Sequence, residues 1–418
     1  MLQVRKNSFF EKLTDILLAL FLILNCQSMY QNSYNVNYHI YEITLFLIIT
    51  SMIIKFLKYP IDLLEINKLS VFSLLYFIVA VITLVVSVSS TDFLSFSARF
   101  LIAPFILLYF VPICDTKNKI QLLLYFVKWV CIITVVSIFF YVMGTTMNLI
   151  HPTGTFIYKW GNVNIAQSFY NIYFGNVQYT SGGILKGLDF RNTAIFVEGP
   201  MYAAVLDLAL YFLFVFKTYF KNFKICLVIL WLGIITSNST AAILIGILVV
   251  FLFIKNSTAF KKVQKIIIIP VAILLIWLIF DLLNKKMGNF NQTSSFGIRL
   301  DDYIAGFRAW LARPMFGWGY NNLSGINIYR NNLSNGGYSN SILAILNAGG
   351  LVFGSLYFIP IIYALFSKIN KQIELALLYF FLLALILFYT SYINFFIWAL
   401  LIDRKFWLEL KKKSTKRN

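Results

Sequence analysis

Three arginines and two aspartates crowd one stretch of an otherwise apolar chain, GIRLDDYIAGFRAWLARPMFGWGYNN, residues 297–322. Arg299, Arg308 and Arg313 each carry a planar fork of N–H donors, which matches a phosphate through paired hydrogen bonds. That chemistry is anion binding. A second stretch, FRNTAIFVEGP, residues 190–200, sets Arg191 and Glu198 ahead of Pro200. Pro200 suits the first turn of a helix, and a carboxylate at Glu198 is then favoured by the positive helix end.

The elements that must position these groups are membrane helices. The 418 residues are 60% hydrophobic and only 12% charged, well above the apolar share of a soluble domain. Apolar runs long enough to span a bilayer recur from end to end. The alternation expected of a membrane β-barrel is missing. The sequence therefore predicts an all-α, polytopic membrane protein forming a single integral domain over 1–418. Twelve spans are expected, at about 11–29, 40–58, 69–89, 93–112, 121–143, 199–216, 225–237, 240–254, 266–284, 339–366, 375–390 and 391–403. Arg5 and Lys6 precede a first apolar run without a small-residue cleavage site, so that run reads as a retained helix.

With the N-terminus placed in the cytoplasm, most lysines and arginines fall in the short loops and tail on that side, as the positive-inside rule requires. The net charge of +19 thus reads as orientation and contact with membrane lipid, not as nucleic-acid binding. Cys26, Cys114, Cys131 and Cys226 form no metal spacing and no disulfide framework. His39 and His151 lack metal-ligand company, and neither metal nor cofactor is expected. Arg99 and Asp207 fall within spans, where charge is costly unless paired, so an Arg99–Asp207 pair is one expectation and snorkelling of Arg99 another.

Two segments are too long to be turns, 144–198 and 285–338, and both fall on the extracytoplasmic side. The second carries Lys285, Lys286, Arg299, Arg308, Arg313 and Arg330 against Asp301 and Asp302, contrary to the usual scarcity of basic residues outside. Either these charges are merely solvated, or they form an anion site at the membrane surface. Ser294 or Ser295 can cap a helix that ends near Ala312, where Arg313-Pro314 stops it. Ile304, Phe307 and Leu311 form one stripe of that helix. Arg299, Tyr303, Gly306 and Trp310 form another, which suits either packing or a sugar-phosphate ligand. Arg299 and Arg308, at roughly 100° per residue, point to opposite sides and cannot grip one phosphate. The glycines of MFGWGYNN would let backbone N–H groups approach a ligand closely.

These segments resemble the Wzy-type polymerases of O-antigen and capsule repeat units, and their relatives the O-antigen ligases. RLDDYIAGFRAWLARPMFGWGY, residues 299–320, is similar to the family's arginine followed by a proline–glycine turn, through Arg299, Pro314, Gly317 and Gly319. YSNSILAILNAGGLVFG, residues 338–354, resembles the asparagine-led span that follows, through Asn340 and Gly349 or Gly350. RNTAIFVEGP, residues 191–200, resembles the arginine–glutamate–proline pattern before a middle span. Ligases of the family carry a histidine beside that asparagine, whereas this chain has Ser339, which favours the polymerase.

The resemblance implies a glycosyltransferase of the cytoplasmic (inner) membrane, with its active site facing outward. Donor and acceptor would both be glycans on undecaprenyl diphosphate, and a chain-length regulator protein is a conceivable partner. Arg299 would stabilise the diphosphate leaving group. Glu198, Asp302 or Asp301 could serve as base to the acceptor hydroxyl. Arg191, Arg308, Arg313, Tyr303, Trp310 and Asn340 would bind substrate. A ligase-like transferase is the alternative. A lipid-linked oligosaccharide flippase should have shorter outer loops, a secondary transporter should show pseudo-repeats, and a non-catalytic scaffold would tolerate charge swaps in the loops.

Overall fold

The computed structural model describes residues 9–59, 63–111, 116–175, 190–254, 295–331 and 337–415. The chain runs through α1 (Phe9–Leu24), α2 (Ile40–Lys58), α3 (Leu63–Ser87), α4 (Phe93–Phe110) and α5 (Thr116–Thr146). A sheet of β1 (Gly154–Trp160), β2 (Asn162–Phe169) and β3 (Tyr173–Gly175) follows. Then come α6 (Gly199–Val215), α7 (Phe223–Thr236), α8 (Thr240–Ile254), α9 (Ser295–Ala312), α10 (Ser341–Leu365), α11 (Asn370–Leu385), α12 (Ile393–Ile402) and α13 (Arg404–Thr415).

The protein is mostly helical, as a chain with no water for its backbone groups must be. Among the described residues, five helices are long and apolar enough to cross a membrane: α2, the Leu69–Ser87 part of α3, α4, α5 and α10. Helices α6, α7, α8 and α12 are apolar but shorter. The expected count of about twelve spans, three of them short, is not confirmed among the described residues, and the expected span at 266–284 lies outside them. The first helix ends at Leu24 rather than near residue 29, because the chain then turns through Gln27 at φ 60°.

The all-α expectation is corrected in the first long loop. Its three strands are antiparallel in the order β1-β2-β3, with Trp160 paired to Asn162 around Gly161. The run of β-branched and aromatic residues alternating with polar ones is a strand pattern. The sheet is tied to the α1–α2 connection by Tyr34 N–H to Ile157 O (3.0 Å) and Lys159 N–H to Asn32 O (2.8 Å).

Both long loops meet at one end of the bundle, the loop end. There Val197 N–H bonds to Gln27 O (3.2 Å) and Ser341 N–H to Ile386 O (3.0 Å), while Ser87 Oγ donates to Phe316 O (2.8 Å). At the opposite end, Lys55 is buried against Asp15 (2.7 Å), and Lys119 is buried against Asp403. These two lysines, read from sequence as loop charges, are instead internal ion pairs.

Two helices break where the loop end needs them to. A π-turn at Ser97–Leu101 interrupts α4, just before Pro104, whose ring cannot accept the regular helical register. This turn presents Arg99, which donates to Tyr320 Oη (2.8 Å) and stacks on Tyr41 with its guanidinium 4.3 Å from the ring centre. The expected Arg99–Asp207 pair is absent. Asp207 is fully buried in α6, and neither carboxylate oxygen has a hydrogen-bond partner among the described residues.

The second break is in α10, at Gly349–Gly350, where Gly350 takes φ 64° and ψ −155°. The turn after α9 fills it. Leu351 N–H bonds to Pro314 O (2.8 Å), Val352 N–H to Met315 O (3.2 Å), and Trp318 N–H to Asn347 O (2.6 Å). A β-carbon on Gly350 would collide with the Met315 carbonyl, and one on Gly317 with Asn347 O. The glycines of MFGWGYNN and NAGG thus bring two backbones together, and the buried polar groups freed by the break find partners.

Candidate functional site

The site at the loop end is built on α6, the sheet and α9. Pro200 starts α6, and Glu198 holds the position just before it in extended backbone (φ −148°, ψ 155°). Its main-chain oxygen accepts from Met201 and Tyr202 N–H (3.1 and 3.3 Å). Its side chain makes no capping hydrogen bond. Instead Glu198 Oε1 accepts from the Trp160 indole N–H at 2.5 Å. The last residue of β1 therefore turns the carboxylate away from the helix end. Trp160 had no sequence signal as a site residue, since only the sheet brings position 160 to position 198.

Arg191 lies beside this carboxylate, with its side chain under Gly199: a β-carbon there would sit 3.6 Å from Arg191 Cδ. The Arg191 Nε is buried and has no hydrogen-bond partner among the described residues. Burial, and then the Arg299 guanidinium, pull the Arg191 pKa below its ordinary value, while Glu198 offsets part of that. Arg191, Glu198 and Arg299 are thus electrostatic neighbours, though they come from two loops more than a hundred residues apart in sequence. Tyr303, one turn along α9, joins them. Burial raises its phenol pKa, and Arg299 opposes the rise. Its hydroxyl donates to Ala384 O at the end of α11.

The remaining expected residues stand elsewhere. Asp302 is buried on the packed face of α9, where one carboxylate oxygen accepts from Arg330 Nη2 (2.8 Å) and Nε (3.1 Å). Burial raises its pKa and Arg330 offsets only part of the rise. That carboxylate is engaged in an ion pair with Arg330. Asp301 accepts from Asn331 Nδ2 (2.7 Å). Arg308 is exposed, half a turn of phase from Arg299 on α9. Trp310 donates to Pro314 O (3.2 Å). Arg313 stacks on Trp318, 4.3 Å from its ring centre. Asn340 caps α10, its Oδ1 accepting from Leu343 N–H (2.9 Å), while its Nδ2 is buried without a partner. The Ile304, Phe307 and Leu311 stripe is exposed. The packed face of α9 is Asp302, Ala305, Gly306 and Ala309.

Two mutually repelling guanidiniums with an unsatisfied buried donor have the chemistry to bind an anion, and the oriented carboxylate beside them can accept a proton. The molecule carrying them is a membrane-embedded helical protein. Residues 225–359 match the family model described as O-antigen ligase, and the chain is consistent with a member of the Wzy/O-antigen ligase superfamily. The matched segment holds Arg299, Asn340 and the paired glycines but not Arg191 or Glu198. No curated protein matches the chain. The family is one of membrane glycosyltransferase-like enzymes of polysaccharide assembly, which supports an enzymatic role here.

Proposed function

We propose that this protein polymerises oligosaccharide repeat units carried on undecaprenyl diphosphate, at the outer face of the cytoplasmic membrane. The observation that carries the reading is the buried, unpartnered Arg191 Nε held next to Arg299. A guanidinium pair of this kind is destabilised when empty and relieved by a polyanion such as a diphosphate. In the reaction, the acceptor hydroxyl attacks the anomeric carbon of the donor glycan. The bond from that carbon to the diphosphate oxygen breaks, and the diphosphate leaves with the electron pair. Arg191 and Arg299 stabilise the charge as it develops. Glu198 takes the hydroxyl proton, with the Trp160 N–H holding the other role, orientation of the carboxylate. The basic residues at the opposite end of the bundle support the orientation that puts this site outside.

The ligase reading rests on the family match, which is described as O-antigen ligase. Ser339, where the ligases it resembles carry histidine, favours the polymerase. Reconstituted protein given lipid-linked repeat units together with a second, unrelated lipid acceptor tests the two. A ladder of longer glycans is the expected product. No ladder, with transfer to a different lipid acceptor instead, would make the protein a ligase.

A further inference from the structure

A cleft of the described structure lies away from the arginine pair. It has a volume of about 680 Å³ and lies between the end of α3 and the turn Arg313–Asn322. Arg313 is fourteen residues beyond Arg299 along and just past α9, roughly 20 Å away at 1.5 Å per residue. The volume falls within the range of ligand sites, roughly 300–1,000 Å³. Its walls are fixed by main-chain bonds: Tyr320 N–H to Ser87 O (2.6 Å), Ser87 Oγ to Phe316 O (2.8 Å), and the interlock with the α10 break.

The lining chemistry is mixed and sparsely charged. Asp92, Asn321, Asn322 and Ser89 offer donors and acceptors, and Trp318 with the stacked Arg313 offers a flat surface. Asp92 is itself oriented, by Asn321 Nδ2 (2.8 Å) and Ser89 Oγ (2.9 Å). One carboxylate and one guanidinium do not select a polyanion. Paired donors and acceptors beside an aromatic plane suit sugar hydroxyls and C–H faces.

We infer that this cleft is a second glycan subsite, which holds sugars of the chain several residues from the reacting end. The inference rests on the transferase reading for the substrate class, while the cleft itself stands on its geometry. Sugars held here, with the diphosphate at Arg191 and Arg299, would fix both ends of a stretched oligosaccharide. The cleft would then influence how long the polymer remains bound between additions.

The test uses full-length protein in nanodiscs and, as probe, the oligosaccharide released by mild acid from the host's lipid-linked intermediates. Wild-type protein should bind it, read by ligand-observed NMR. Asp92→Ala and Asn322→Ala should each weaken binding about tenfold, the loss expected for one hydrogen-bonding group, and shorten the glycan ladder. Arg299→Ala should leave this binding unchanged, since that probe has no diphosphate. Absence of binding, or binding indifferent to both cleft substitutions, overturns the subsite. Binding lost in the cleft variants beside a wild-type protein that makes no glycan product would keep the subsite and overturn the transferase reading. A heating-aggregation midpoint equal to wild type, together with Asn322→Ser as a milder second variant, guards against misfolding.

Discussion

Two arginines at the same end of the bundle, Arg330 buried and Arg191 half-buried, have opposite surroundings. Arg330 is saturated. It donates to Asp302 twice, to Asn327 Oδ1 (3.1 Å) and to Gly337 O. Arg191 keeps a buried Nε with no partner among the described residues and has a second guanidinium beside it. A folded protein tolerates the first arrangement for its geometry. The second is costly, because an unsatisfied buried donor costs about 1–3 kcal/mol and more when charged, and a bound anion would relieve it. On the proposed reading Arg330 belongs to the scaffold and Arg191 to the site, although both read as loop arginines in the sequence.

Removing Asp302 gives the sharpest break in this contrast. Asp302→Ala leaves Arg330 charged and buried, and should destabilise the protein by about 3–5 kcal/mol. The heating-aggregation midpoint in detergent should drop far below wild type. The double variant Asp302→Ala with Arg330→Met should recover much of the loss, since it removes the stranded charge as well. Arg191→Gln, by comparison, should leave the midpoint near wild type. A large drop there would mean that Arg191 is also a scaffold residue.

Arg299→Ala and Arg299→Lys come next. Loss of one oriented donor group at a developing anion is worth roughly 3 kcal/mol, a little over a hundredfold in rate. Lysine keeps the charge and loses the fork, so both variants should stop glycan extension while the protein inserts normally. A full ladder from the lysine variant would show that bulk charge is sufficient.

How far the sequence could reach is visible in these same residues. Helix α9 was legible to its last residue, because serines open it and Arg313-Pro314 closes it. The membrane character and the approach of Arg191, Glu198 and Arg299 to one end followed from hydropathy and the order of the motifs. The sheet was not legible. Short strands inside a loop carry little signal beside helices three times their length, and so Trp160 was invisible as a partner of Glu198. The pairing of Asp302 was hidden for a related reason: adjacent carboxylates 301 and 302 look equivalent in a string, but on a helix they face about 100° apart, and one goes inward to Arg330. The glycines of MFGWGYNN were read as room for a ligand to approach. What approaches them is the broken helix α10, since backbone conformation at Gly350 can be seen only in three dimensions.

Glu198→Gln tests the first loop's contribution. The side chain does not cap α6, so the neutral amide should cost little stability. If the carboxylate is the base, extension should slow by about a hundredfold, the lower end of the range for such catalysis. The readout is the glycan ladder beside an immunoblot for protein level. A normal ladder would leave Glu198 with a positioning role at most.

The smallest expected effect is the most specific to this structure. Trp160→Phe keeps the ring's bulk and removes only the indole N–H that meets Glu198 Oε1 at 2.5 Å. A hydrogen bond to a charged group is worth about 1.5–3 kcal/mol when buried, and the half-buried setting of both residues places the loss near the lower figure. Extension should slow about tenfold, with the midpoint unchanged. The decisive measurement is the double variant. If Trp160 acts through the carboxylate, Trp160→Phe should do almost nothing in a Glu198→Gln background, because the oriented charge is already gone. If the two losses multiply, Trp160 touches the substrate itself, and the end of β1 is part of the glycan site rather than the support of its base.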